Sequence, residues 1–231
     1  MRFKSTLLYL FLLFFAVLGG ITTLQAQVGD EQPVHKLSLF HDIHLETGIN
    51  IIPMLRAVKG TPGDSLQLSP YWLNGRLSWR NWGIRSSVGG SFSEKNTFIQ
   101  GFKDSDKQTA TQFNLRAGLD YRLKWKNQFT FTFGADWVRH LNEKVRVLDS
   151  GFDVIEQISQ KETTGGGLSV GGQWWISKHF GVGLESSFYY MTGQFTEGRK
   201  FVNFPELNDD LNQSDFQEVI TPVALYAIWK F

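Results

Sequence analysis

The stretch Phe113-Asn114-Leu115-Arg116-Ala117-Gly118-Leu119-Asp120-Tyr121-Arg122-Leu123-Lys124 sorts its residues by parity. Phe113, Leu115, Ala117, Leu119, Tyr121 and Leu123 fill the odd positions and are all apolar. Asn114, Arg116, Gly118, Asp120, Arg122 and Lys124 fill the even ones, and none is a hydrophobe. A helix would spread both classes around its circumference. A strand points successive side chains to opposite faces and keeps the classes apart.

Seven further segments follow the same period. Ile43–Met54 sets Ile43, Leu45, Thr47, Ile49 and Ile51 against His44, Glu46 and Asn50. Tyr71–Arg80, Trp82–Phe92 and Gln128–His140 alternate likewise, the last with Phe129, Phe131, Phe133, Ala135 and Trp137 on one face. Gly165–Ile176, Phe180–Thr192 and Val219–Phe231 complete a set of eight strands. The links alternate in length. Short ones fall at Arg80-Asn81, Trp125-Lys126-Asn127 and Ser177-Lys178-His179, as hairpin turns do. Long ones fall at about 55–69, 93–110, 140–163 and 193–217. The expected fold is therefore all-β: an eight-stranded antiparallel up-and-down transmembrane β-barrel over 43–231, porin-like in its wall, with short periplasmic turns and long external loops.

A soluble lipocalin-like barrel or a two-sheet sandwich shares the period. The quality of the apolar face separates them. Trp79, Trp82, Trp125, Phe129, Trp174, Phe180, Trp229 and Phe231 gather at the short-link ends. Tyr71, Phe92, Phe113, Trp137, Phe188 and Tyr190 gather at the long-link ends. Two aromatic belts with aliphatics between them are what the two interfaces of a bilayer select.

Composition agrees. The 231 residues are 42% hydrophobic and 19% charged, with 8 Trp, 6 Tyr, 20 Phe and 23 Gly, which excludes a disordered chain. There is no cysteine, so disulfide scaffolds, thiol catalysis and cysteine-based zinc sites are excluded together. Residues 1–26 read as a secretory signal: Arg2 and Lys4, an apolar run from Leu7 to Leu18, and a polar stretch to Leu24-Gln25-Ala26. The apolar run makes roughly 18 Å of helix, short of a hydrocarbon core of about 30 Å. Removing this leader leaves 21 basic and 22 acidic residues, so charge gives no case for nucleic acid. Residues 27–42 are expected to form a short periplasmic segment, and the protein is expected in a Gram-negative outer membrane.

The last residues, Val223-x-Leu225-x-Ala227-x-Trp229-x-Phe231, resemble the C-terminal assembly signal read by the barrel assembly machinery. The chain from about residue 40 onward is similar in pattern to small eight-stranded outer-membrane proteins of the OmpX/OmpA-barrel type. Its Gln-Ala-Gln leader junction and aromatic strands resemble the outer membrane beta-barrel-domain proteins that include the PorT-like group. That resemblance implies outer-membrane lipid or lipopolysaccharide and the barrel assembly machinery as partners. It also implies an envelope or secretion-system protein, since PorT-like barrels are associated with type IX secretion.

Parity places Glu46, Asp120, Asp136 and Glu185 on the inner face with Arg76, Arg85, Arg116 and Arg122. A turn centred on Lys126 sets Arg116 opposite Asp136. A turn at Arg80-Asn81 sets Arg76 opposite Arg85, with Glu46 and Asp120 on neighbouring strands as partners. The expected result is a lumen plugged by ion pairs, in a non-enzymatic protein that works through its long loops or its envelope contacts. Phe152, Phe195, Phe201, Phe204 and Phe216 in the two longest links support such contacts. The alternatives are a narrow ion or solute channel, and a lipid A-modifying enzyme. For the enzyme the residues give little: no His-x-Ser pair of the lipid A deacylase kind occurs, and His140 is the one histidine near the outer rim. No cofactor or metal site is expected. Gly165-Gly166-Gly167 and Gly171-Gly172 lack the Lys-Ser/Thr of a phosphate loop, and Glu206, Asp209, Asp210, Asp215 and Glu218 do not have calcium-loop spacing.

Overall fold

In a computed structural model of the chain, residues 43–52, 69–98, 105–126, 128–149, 153–208 and 211–231 are described. The expected leader 1–26 and segment 27–42 lie outside the described residues, as do Met54, Phe152, Asp209, Asp210 and most of the first long link.

Nine strands follow: β1 (Ile43–Asn50), β2 (Leu73–Trp79), β3 (Trp82–Phe98), β4 (Ser105–Trp125), β5 (Phe129–Asp149), β6 (Val154–Trp175), β7 (Phe180–Phe201), β8 (Asn212–Ile220) and β9 (Val223–Lys230). They belong to one antiparallel sheet in the order β6-β5-β4-β3-β2-β1-β9-β7-β8, and β6 also pairs with β7. β1 and β2 are short, with 8 and 7 residues, whereas β4 to β7 run for 21 or 22. Beyond Val88, β3 pairs with β4 on one side, and β8 pairs with β7 on one side, among the described residues. Among the described residues the outer part of the sheet, β3-β4-β5-β6-β7-β8, is therefore open between β3 and β8.

This corrects the expected architecture. The sheet has nine strands rather than eight, and an open outer half takes the place of the uniform up-and-down transmembrane β-barrel. The porin-like description falls with it. Two physical reasons account for the difference. β8 and β9 continue one another along β7, where Ile220 faces Tyr189 and Val223 faces Ser186. Between them Pro222 has no N–H to donate, and the run read as one strand divides there. In addition, the described parts of the segments expected as external loops are mostly strand. Lys144 pairs with Ser159, Val145 with Ile158, and Gln160 with Thr196, so backbone bonds carry the hairpins where side-chain alternation has faded.

The short links hold two non-glycine residues at positive φ, Arg80 at 54° and Lys126 at 56°. A positive φ lets a tight hairpin follow the strand twist. Trp79 pairs with Trp82 across the first link, which sets Arg76 opposite Arg85. Across the second link Trp125 pairs with Phe129, two residues later than a turn centred on Lys126 gives. Arg116 consequently faces Val138, and Asp136 faces Gly118. The expected Arg116–Asp136 opposition is corrected by that two-residue shift, which keeps both side chains on the inner face.

The two faces have inverted polarity. Trp82 is 58% exposed, Leu119 57% and Leu168 67%, while Arg85, Arg116 and Asp120 are each 1% exposed. On β5 the outward Phe129, Phe131, Phe133 and Trp137 are exposed, and the apolar run ends at Arg139, which pairs with Glu162 at 2.5 Å. From Phe129 to Trp137 a strand advances about 27 Å. That matches the 9–11 residues with which a tilted strand crosses a hydrocarbon core. Tyr71, expected in the outer aromatic belt, is instead fully buried, and Trp72 beside it is exposed. Regular pairing of β2 starts only at Leu73, so parity does not extend back to Tyr71.

Candidate functional site: the charged inner face

The eight charged residues that parity placed inward are all buried, and the sheet brings them together in two tiers. The tier nearer the short links joins β1, β2 and β4. Arg76 Nη1 donates to Glu46 Oε2 at 3.4 Å, and Arg76 Nε lies 2.6 Å from Asp120 Oδ2. Arg122 Nη2 stands 2.8 Å from Glu46 Oε1 and donates to Gln173 Oε1 at 2.9 Å, while its Nη1 donates to Ser78 Oγ at 2.7 Å.

The second tier joins β3, β4, β5 and β7. Arg85 grips Asp136 with two parallel bonds, Nε to Oδ1 at 2.8 Å and Nη2 to Oδ2 at 2.5 Å. This is the fork geometry in which guanidinium and carboxylate bind most strongly. Its Nη1 donates to Glu185 Oε2 at 2.8 Å, and its Nη2 also reaches Ser169 Oγ. Arg116 donates to Glu185 Oε1 and, through Nη2, to Ser87 Oγ at 2.8 Å. Asp136 lies 4.0 Å from Arg116 but accepts a bond from Tyr189 Oη at 2.9 Å. Four carboxylates and four guanidiniums balance, so the inner face buries no net charge from these residues, which is the condition for burying charge at tolerable cost.

The cross-strand pair Arg76–Arg85 would be unfavourable in isolation. Each guanidinium escapes by turning to opposite neighbours: Arg76 to Glu46 and Asp120, Arg85 to Asp136 and Glu185. Glycines make the room. A Cβ on Gly134 would stand 2.7 Å from Arg85 Nη2 and 2.7 Å from Ser169 Oγ. On Gly167 it would stand 2.7 Å from Tyr189 Cδ1, so the tyrosine ring lies across the glycine.

Above the second tier, Tyr71, Val138, Tyr189 and Met191 form a buried apolar cluster. The Tyr71 hydroxyl lies 3.0 Å from His140 Nε2, and its ring carries the Arg116 guanidinium at 4.9 Å from the centroid. His140, the one histidine expected near the outer rim, therefore contacts Tyr71. Tyr71 and Tyr226, which Arg116 reaches at 3.5 Å, are members of the network that the sequence reading did not assign. The parity of β9 puts Tyr226 inward beside Ala224 and Ile228, a usable signal. Tyr71 lies outside the regular strand and gives none. Of the expected acidic loop, Glu218 pairs with Lys161 at 2.7 Å, and no group of three or more metal-ligating side chains occurs among the described residues.

Val223, Leu225, Ala227, Trp229 and Phe231 lie along and just past β9, on its outward face, with Trp229 and Phe231 exposed. A groove of about 740 Å³ lies on the outward side above Tyr190, lined by Glu162, Thr164, Thr192, Gln194, Asp215 and Gln217.

Fold and inner face together define a class: an antiparallel β protein whose hydrophobes face outward and whose ion pairs face inward. No family model and no curated protein matches the chain. Among solved structures it is similar to the crystal structure of Acinetobacter baumannii CarO, at 12% identity and a TM-score of 0.37, over 82% of this chain and 96% of that one.

Proposed function

We propose that the chain is a non-enzymatic, membrane-embedded β protein of the Gram-negative outer membrane, exported by residues 1–26. Its ion-paired inner face is structural, and its long hairpins meet partners outside the bilayer. The inversion of polarity carries this reading. A continuous outward band of Trp, Phe and Leu over buried arginines and carboxylates is unfavourable in water and favourable in hydrocarbon.

Strands of 21 and 22 residues reach about 70 Å, far more than a bilayer needs, so a large part of each hairpin stands in solvent. Beyond the band, Val202, Phe204, Leu207 and Leu211 are exposed at the end of the β7–β8 hairpin, where no lipid accounts for them. They support an envelope or secretion-system protein as the partner, the role that the PorT-like resemblance implies.

The chain has no cysteine, which makes topology directly testable. Lys144→Cys, on the outer hairpin, is expected to react with a membrane-impermeant maleimide in intact cells. Lys126→Cys, in a short link, is expected to react only after the outer membrane is opened. Both variants should sediment with membranes and change gel mobility on boiling; recovery in the soluble fraction would refute the reading.

A further inference from the structure

The two ends of the sheet differ in how their cations are partnered. Toward the hairpin tips four are matched, Lys107 with Glu94, Arg139 with Glu162, Arg146 with Asp106, and Lys161 with Glu218, among further exposed cations such as Lys95, Lys144 and Lys200. Toward the short links the runs 77–84, 121–132, 173–184 and 225–231 contain no aspartate or glutamate. They do carry Lys124, Lys126 and Lys178, all exposed, and Lys230, which is partly buried. None of these four lysines makes an ion pair among the described residues. Among the described residues, the carboxylates toward this end, Glu46 and Asp120, are buried against Arg76 and Arg122. Lys230 and His44 lie in a shared field to which Glu46 contributes negative charge and Lys124 and Arg122 contribute positive charge.

The cations also sit on the aromatic ring that ends the apolar band. The Lys126 ammonium lies 5.9 Å from the Trp125 ring centre and the Arg80 guanidinium lies 5.2 Å from Trp79, while Lys230 lies 6.0 Å from Trp175, which packs on the inner face against Ala224, Tyr226 and Ile228. Tryptophan settles at headgroup depth, and a lysine beside it holds its ammonium at the level of the lipid phosphates.

Resting on the membrane reading above, we propose that the short-link rim is a binding surface for the anionic headgroups of phospholipids. The lysines Lys124, Lys126, Lys178 and Lys230 select anionic over zwitterionic lipid in the leaflet they touch. The chemistry is that of a polybasic membrane surface. Several ammonium groups without protein counterions lower their energy by gathering phosphodiesters whose charge no choline offsets. Tip and rim would then do different work, since the tip mixes its lysines with carboxylates such as Glu94, Asp106, Glu162 and Glu218 whereas the short-link runs carry lysines without them.

Tryptophan fluorescence tests this directly, because every tryptophan except Trp72 and Trp137 lies near the short-link end. The full chain is refolded into vesicles of phosphatidylcholine and phosphatidylglycerol, with one lipid or the other brominated as a quencher. Brominated phosphatidylglycerol is expected to associate about threefold more strongly than brominated phosphatidylcholine at low salt, as for a few basic groups near a surface. The ratio should fall toward one in about 0.5 M salt, where screening is nearly complete at contact distances. It should also fall toward one in the triple variant Lys124→Gln/Lys126→Gln/Lys178→Gln, whose folding is checked by its gel shift. A ratio of one for the unaltered chain at low salt, or a ratio that neither salt nor the triple variant moves, overturns the proposal. Quenching by neither lipid would mean that the chain does not enter the bilayer, which overturns the membrane reading itself.

Discussion

Arg85 is the residue on which the inner face turns. It alone contacts both Asp136 and Glu185 within 2.8 Å, and it is 1% exposed. Removing it leaves two buried carboxylates short of a partner, and breaking such a pair costs about 3–5 kcal/mol. Arg116 stands differently, because Asp136 keeps its bonds from Arg85 and Tyr189 when Arg116 is gone. A double-mutant cycle in detergent unfolding separates the two cases. Arg85→Met with Asp136→Asn should show a coupling of about 1–3 kcal/mol, and Arg116→Met with Asp136→Asn less than about 0.5 kcal/mol. Equal couplings would show that the β4–β5 register is the one expected from a turn at Lys126 rather than the one observed.

At the scale of elements, the hairpin formed by β4 and β5 extends past the apolar band and is held at its far end by Arg146 and Asp106. Arg146 Nε donates to Asp106 Oδ1 at 3.0 Å, and Nη2 donates to Oδ2 at 2.6 Å. That hydrogen bond holds the Asp106 carboxyl below its ordinary value of 3.8. A depressed folded-state value means that the pair stabilises the hairpin above the ordinary carboxylate range and is lost as pH falls through the lowered value. Amide exchange at the far end of β4–β5, corrected for the intrinsic rate, should therefore be protected at pH 5 and accelerate near pH 2, and Asp106→Asn should remove the difference. Protection that is identical at both pH values would show that the ladder holds the hairpin end without the ion pair. The pair is only partly buried at the hairpin end, so the effect should stay local to that end.

For the whole molecule, the inner face stacks two neutralised tiers under an apolar cluster of Tyr71, Val138, Tyr189 and Met191. An ion crossing it would have to break paired guanidiniums and then pass a dry layer. The chain reconstituted in a planar bilayer is accordingly expected to give no stepwise conductance. Regular openings would revive the narrow channel considered from the sequence. The same stacking explains the density of glycine on β5 and β6: Gly134 and Gly167 leave room for the Arg85 guanidinium and the Tyr189 ring to lie against the sheet.

How much was legible follows from the range of each interaction. Parity along a strand is local, so Phe113–Lys124 alone shows the two faces, and all eight inner charges were found from it. Local pattern also located the short links, because glycine-poor turns such as Arg80-Asn81 stand between strong alternations. It did not reach the outer hairpins, whose ladders rest on backbone bonds such as Lys144 with Ser159, with mixed residues on both faces. Nor did it reach the open outer sheet or the place of Tyr71, both of which depend on which strand lies alongside; the split at Pro222 was marked locally, by a proline inside the run. Partner choice was the last thing hidden. A two-residue shift of partners across the Lys126 link moved Asp136 from Arg116 to Arg85, because register is set by where the turn falls and every cross-strand contact inherits it. The sequence by itself determined which residues face inward, since a strand's geometry does so residue by residue. Only the tertiary structure decided which of them meet, since that depends on a register summed along the chain.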